Sequence, residues 1–412
     1  MTTTQTEQIT EPVTTRIVDY YDGRKRAWVK EAVRLLHADA TRSADTHVFR
    51  FPLPTDWGID LYVKDESVHP SGSLKHRMAR ALYLHALCTG WIEADTHVFE
   101  ASSGSTAVSE AYFAQLLGLK FTAVVPKNTS VEKVELIKAY GGEVKNPGPD
   151  GDIKKEAARL AKETPKGHFM DQFTYAERAY DYRDDHNVAA TVFQQISEER
   201  HPDPKWFVVG AGTGGTGATI GRHIRFSRRD ARVCVVDPQN SAFFPNWVAN
   251  QGHPKSQWPE DPSTWIKGSP SHIEGIGRPT VEPSFLPAVV DRMISVPDAA
   301  SIAAMRLLLS RLRHRAGPST GTNLWGALRI VAEMLSDGEQ GSVVMAHVRP
   351  GRAVHEELLR RHMGRADPQA GHRVPTRRRW RTSSRPAAGT SRWSPPCPPR
   401  GTPERESACE PS

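Results

Sequence analysis

Lys75 is the residue whose type and placement could do chemistry. In the stretch 63–77, VKDESVHPSGSLKHR, a short apolar alternation (Ile59, Leu61, Val63) predicts a buried strand. Pro70 and Gly72 then break the chain into a turn, and a helical pattern starts at about Ser73. Lys75 therefore lies one or two residues inside a helix start, where an ammonium faces the unfavourable end of the helix dipole. Partial desolvation there lowers the pKa of the amine, and a neutral amine is what condensation with a carbonyl requires. The competing reading of this window is a surface lysine beside a basic pair, His76 and Arg77.

Two further turns are shaped for anions. After the strand THVFEAS, the small residues Ser102, Ser103, Gly104, Ser105 and Thr106 make a tight turn that leads into an amphipathic helix ending at Gly118. The segment KWFVVGAGTGGTGATIGRHIR repeats this logic more sharply: Trp206 to Val209 form a strand, and residues 210–217 hold five glycines. A helix opens from Ala218. Glycines let the main chain approach a phosphate closely, and Thr213 and Thr216 can donate to it. GAGTGG also matches a dinucleotide-binding pattern, with Asp237 after RVCVVD as a partner for a ribose, so a nicotinamide dehydrogenase competes at this point. Its position in mid-chain, behind a complete α/β region, counts against it.

The elements that must position these turns alternate. Strand and helix patterns follow one another from Thr96 to Glu198, which predicts a parallel sheet in an α/β architecture. An N-terminal helix is expected over Tyr20–Asp39, with residues 1–18 disordered. The polar stretch 239–270, with Trp247, Trp258 and Trp265, lacks periodicity and reads as a flexible or partner-facing insertion. Residues 317–323 are rich in small polar residues that could face a ligand, though a loop leading a helix is the simpler reading, and GSVVM begins a final strand.

Composition narrows the function classes. The 412 residues are 38% hydrophobic and 25% charged, with no apolar run long enough to span a bilayer. MTTTQTEQITEP has neither the basic start nor the apolar core of a secretion signal. Cys88, Cys234, Cys397 and Cys409 show no metal-ligand spacing and argue against a disulfide framework. A cytoplasmic protein with no metal and no membrane partner is expected. The formal charge of +7 belongs to the end of the chain: from Met345 onward 14 Arg face 6 Asp and Glu, a surplus of 14 − 6 = +8, leaving −1 for the first 344 residues. The body carries no basic footprint for a nucleic acid.

Four segments together carry a resemblance. SGSLKHR resembles the lysine motif of the fold type II pyridoxal-phosphate enzymes, the cysteine synthase and cystathionine β-synthase group, SSGST resembles its substrate-carboxylate loop, GTGGT its phosphate cup and EGIG, residues 274–277, its cleft loop. EASSGSTAVSEAYFA, DQFTYAERA, VVDPQNSAFFP and GRPTVEPSFLP resemble the L-cysteine desulfhydrases of that group, and the likeness covers residues 19–344.

The resemblance implies two α/β/α subdomains with pyridoxal 5'-phosphate in the cleft between them, the smaller and mobile one spanning about residues 93–185, and a homodimer. It implies that Lys75 carries the cofactor and that Gly212, Thr213, Gly214, Gly215 and Thr216 hold its phosphate. Ser105 would stand at the ring hydroxyl where the family usually has Asn. Ser102, Ser103, Gly104 and Thr106 would take the carboxylate of a small amino-acid substrate, with Gln172 assisting and Gly275 lining the cleft. The implied reaction is β-elimination on L-cysteine giving sulfide, pyruvate and ammonia. Three alternatives remain: β-replacement from O-acetylserine or O-phosphoserine with sulfide, a nicotinamide-dependent oxidoreductase built on GAGTGG, and a non-enzymatic protein that retains the cofactor. Residues such as Ser105 and Tyr175 would set the partition between elimination and replacement.

Beyond Val344 the family pattern stops, and an Arg/Pro-rich run with ten prolines between Pro350 and Pro411 follows. Residues 345–412 read as an atypical, disordered tail. GRAVHEELLRRHMG can be encoded so that a neighbouring frame reads Gly-Glu-Arg-Tyr-Met-Lys-Ser-Tyr-Tyr-Asp-Asp-Thr-Trp, which resembles the family's own ending. A frameshift near codon 344 is the expected origin, with low or absent turnover by the chain as written; resequencing the gene there tests it.

Overall fold

The computed structural model describes residues 23–102, 104–147, 151–269, 271–313 and 316–347. The expectations for residues 1–18 and for the tail from 348 on lie outside them.

Two sheets organise the chain. The smaller has the order β5-β4-β3-β6, all parallel, from β3 (His97–Ala101), β4 (Lys120–Val124), β5 (Glu143–Lys145) and β6 (Gly167–Phe169). The larger has the order β1-β2-β10-β7-β8-β9, from β1 (Val48–Phe51), β2 (Ile59–Asp65), β7 (Pro204–Gly210), β8 (Arg232–Pro238), β9 (Arg292–Val296) and β10 (Gly341–His347). Only β1 runs antiparallel, at the edge. Every residue of β2 is buried, as a parallel strand covered on both faces requires. Its polar residues are accordingly paired: Lys64 donates to the Thr46 carbonyl and to Gln195, and Arg200 donates to Asp60.

One core of the large sheet packs β2, β7 and β10 against α10 (Asp298–Leu312) and α11 (Pro318–Ser336) through Leu61, Val208, Leu308 and Leu324. The opposite core contains α7 (Val188–Gln195), α8 (Gly215–Phe226) and α9 (Phe243–Ala249). The small sheet is covered by α3 (Ser105–Leu117), α4 (Val131–Ala139), α5 (Ile153–Glu163) and α6 (Gln172–Ala179). α1 (Gly23–Ser43) and α2 (Lys75–Cys88) join that core through Leu36, Met78 and Leu82, although they precede residue 93. The helix that starts at Lys75 thus packs with the small sheet, while the strand that leads to it belongs to the large one.

Three local expectations change. The 239–270 stretch is packed rather than free: Phe243 and Trp258 are buried in the core beside α8, with Trp247 and Trp265 against them. Its elements are a seven-residue helix and single 3-10 turns, too short to leave a period in the sequence. Residues 318–323 are the first turns of α11, with Pro318 at the position where a missing N–H costs nothing. The last strand runs three residues beyond Val344, pairing Met345, Ala346 and His347 with Val63, Lys64 and Asp65.

Candidate active site

The turn between β2 and α2 is braced from inside. Arg77 is buried and donates to Glu66 through Nε (2.6 Å) and Nη2 (2.8 Å), to the Ala44 carbonyl (2.6 Å) and to the His186 carbonyl (2.7 Å). Glu66 also pairs with His69. Burial pushes the Glu66 carboxyl up, but the Arg77 guanidinium and His69 overcome this and hold it well below the usual range. His76 pairs with Asp39 at 2.9 Å and with Ser71 at 3.0 Å. The basic pair beside Lys75 is therefore interior. Each member has an acidic partner: Arg77 pairs with Glu66 of the same stretch, and His76 with Asp39, which lies far enough away that local composition does not reveal it.

Lys75 is the first residue of α2 and half-buried, with its N–H on the Ser73 hydroxyl. Burial, and secondarily the nearby Arg278 guanidinium, push its amine down to about 8.

β7 ends at Gly210 and α8 starts at Gly215, so residues 210–214 turn above the N-terminus of a twelve-residue helix. Gly214 caps the helix with φ 94°, and a Cβ there would lie 2.5 Å from Cα of Phe285. A Cβ on Gly212 would lie 2.5 Å from the Gly275 carbonyl oxygen and 3.6 Å from Nζ of Lys75. The absent side chain leaves open the space between cup and lysine. Thr213 is buried and accepts from the Gly215 N–H at 3.3 Å, while Arg278 donates to the Gly212 carbonyl at 3.0 Å.

The third turn links β3 to α3. Ser102 accepts from the N–H groups of Gly104 (3.0 Å) and Ala107 (3.3 Å), and Ser105 opens α3. Ser103 lies outside the described residues. The Thr106 hydroxyl donates to Gln172 at 2.7 Å, and the Gln172 amide donates to the Ala101 carbonyl at 2.9 Å. Beneath them Glu100 accepts from the N–H groups of Ala101 (2.6 Å) and Gln172 (3.1 Å), and burial pushes its carboxyl above the usual range.

One cleft, open to solvent, joins the three turns. Lys75, Ser105, Gly212, Thr213, Gly214, Thr216 and Gly275 line it, together with Gly317 and Ser319 at the start of α11. Ser102, Gly104, Thr106, Gln172 and Gly215 are buried and are not among its lining residues. Gln172, at 2% exposure, braces the turn with both ends of its side-chain amide. Tyr175 belongs to an aromatic cluster with Trp91 and His85, outside the lining. Asp237, buried, accepts from the Phe244 N–H and does not line the cleft either.

Sequence reasoning missed Arg278 and Lys133. Arg278 directly follows EGIG and could have been flagged as a charge beside a glycine turn; Lys133 had no local signal. Among the described residues no group of three His, Cys, Asp or Glu is arranged to hold a metal, and no helix is long and apolar enough to cross a membrane.

The profile of the family described as "Pyridoxal-phosphate dependent enzyme" matches residues 44–347. The chain belongs to that family. It is similar to L-cysteine desulfhydrase Cds1 of Mycobacterium tuberculosis, with 57% identity over 323 residues, 77% of this chain and 84% of that protein. It is also similar to a cysteine synthase of Helicobacter pylori, 29% identical over 72% of this chain and 90% of that one. Among solved structures it superimposes on O-ureido-L-serine synthase with a TM-score of 0.62 and 25% identity, covering 77% of this chain and 92% of that chain. This is the fold type II architecture of paired α/β/α subdomains.

The residues present fit the family's cofactor. Pyridoxal 5'-phosphate brings a phosphate and an aldehyde. The glycine turn at the N-terminus of α8 offers N–H donors and positive dipole for the first. Lys75, 3.6 Å from the missing Cβ of the cup's Gly212, offers a depressed-pKa amine for the second.

Proposed function

We propose that this pyridoxal-phosphate-dependent enzyme catalyses β-elimination on L-cysteine: water is consumed and sulfide, pyruvate and ammonia are released. The observation that carries the proposal is the 57% identity to an L-cysteine desulfhydrase, spread over 84% of that protein.

When bound, the cofactor supplies the electron sink that makes the Cα–H bond of an amino acid acidic. The chain supplies the rest. The N–H groups of residues 212–216, with Thr213 and Thr216, would fix the phosphate, and Arg278, on the Gly212 carbonyl, would add positive charge beside it. The turn at Ser102–Thr106, stiffened from behind by Gln172 and Glu100, would hold the substrate carboxylate. Lys75, once displaced by the substrate amine, would take the Cα proton at Nζ. Burial and Arg278 favour the neutral amine that this step needs.

A second reading, β-replacement to make cysteine, is favoured by the similarity to a cysteine synthase over 90% of that protein's length. Competition decides between them: sulfide and pyruvate formed from L-cysteine are measured beside cysteine formed from O-acetylserine, or O-phosphoserine, and sulfide. Faster elimination supports the proposal, and faster replacement overturns it.

A further inference from the structure

Lys133 and Glu274 face each other across the cleft. Lys133 comes from α4 on the small sheet and Glu274 from the glycine turn beyond β8; both line the cleft with Lys75 and Ser105, and their side chains form an ion pair. The Lys133 stem lies on the carboxylate turn. Gly104 has φ 133°, and a Cβ there would meet Cδ of Lys133 at 2.3 Å and Cε at 3.3 Å. The ammonium, one bond beyond Cε, thus emerges beside the N-terminus of α3.

The two partners are unequally placed. The Lys133 side chain is 12% exposed and that of Glu274 is 34% exposed. A desolvated ammonium needs an anion, whereas the more exposed carboxylate can return to water at little cost. Lys133 is also the third residue of α4, where a cation opposes the helix dipole, so helix stability does not explain its position.

We infer that Lys133 is a carboxylate-binding residue of the substrate site, held by Glu274 until an amino acid arrives and then passed by ion-pair exchange to the amino acid's carboxylate. The inference rests on the proposed role of the Ser102–Thr106 turn as the carboxylate site. It adds a charged, specificity-determining partner to that turn. It also assigns Glu274 a competing role.

Exchange predicts opposite signs for the two neutralised variants; a simple clasp between subdomains predicts the same sign. The test uses the full-length, cofactor-loaded protein, with binding of L-alanine and of L-alaninamide followed by calorimetry. L-Alanine has a carboxylate and no leaving group, and the amide lacks the negative charge. Lys133→Met is expected to weaken L-alanine by about 10-fold or more, the loss of one charge-assisted hydrogen bond, and to leave L-alaninamide unchanged. Glu274→Gln is expected to tighten L-alanine, and Lys133→Arg to recover most of the loss. In turnover of L-cysteine, Lys133→Met raises KM with kcat within about threefold, as for an interaction made before the chemical step. Equal weakening by both neutralised variants would reduce the pair to a clasp and overturn the inference, as would unchanged L-alanine binding in Lys133→Met. Wild-type protein that binds L-alanine no better than the amide overturns the carboxylate-turn reading itself, and the inference with it.

Discussion

Lys75 is the amine on which the proposed chemistry depends, and its protonation can be worked from its surroundings. With a pKa of about 8, about one amine in five is neutral at pH 7.4, against fewer than about one in a thousand for an unperturbed lysine near 10.4. Loading of cofactor-free protein with pyridoxal 5'-phosphate, followed by the visible absorbance of the lysine-bound cofactor, should therefore accelerate up to about pH 8 and then level off. Arg278→Met removes the second cause of the shift and leaves burial, the first; the inflection should move up by about one unit or less. Stability provides a second readout. Between pH 8 and the unfolded value the unfolded chain binds a proton that the native amine does not, so in cofactor-free protein Lys75 makes stability rise with pH across that window. A loading rate still climbing tenfold per pH unit at pH 9.5, in wild-type protein, would refute the depressed amine.

Lys75→Ala should abolish the visible band and turnover while the fold survives, as circular dichroism and thermal melting will show. Gly214→Ala places a Cβ 2.5 Å from the Phe285 backbone at a positive φ, and should cost about 1–3 kcal/mol by denaturant titration and weaken cofactor retention. Arg77→Met leaves Glu66 buried with only part of its partners and should destabilise by about 3–5 kcal/mol. Because the native Glu66 carboxyl lies well below its unfolded value, its contribution is present above about pH 4.3 and lost as pH falls further, which acid unfolding of wild type against Glu66→Gln will measure. Gln172→Leu removes the acceptor of the Thr106 hydroxyl and the brace on Ala101. It should cost about 1–3 kcal/mol and raise KM for L-cysteine more than it lowers kcat.

Strand, turn and helix around Lys75 were legible because each left a local mark: alternating apolar residues, a proline and a glycine, then a helical period. The cup after β7 was legible for the same reason, since glycines record close approach of the backbone. The order of strands in the large sheet was not, because β2 and β10, Ile59 opposite Gly341, pair across about two thirds of the chain. Arg278 and Lys133 owe their places to partners far off in the chain, the Gly212 carbonyl and Glu274, which no local pattern names. Gln172 was read as assisting from the facing loop; its side-chain amide accepts from the Thr106 hydroxyl and donates to the Ala101 carbonyl, partners that a lone glutamine in the sequence does not name. Phe243 and Trp258 were hidden within a polar stretch, since two large aromatics can anchor a segment without any period.

The most direct test measures sulfide and pyruvate together from L-cysteine, in the cofactor-loaded chain as it stands and in a chain whose sequence after residue 347, where β10 and the family match end, is read in the neighbouring frame. Equimolar products are expected from the restored chain, less from the chain as it stands, and none from either once Lys75 is alanine. No product from the restored chain, product that survives Lys75→Ala, or faster consumption of O-acetylserine with sulfide would contradict the proposed β-elimination.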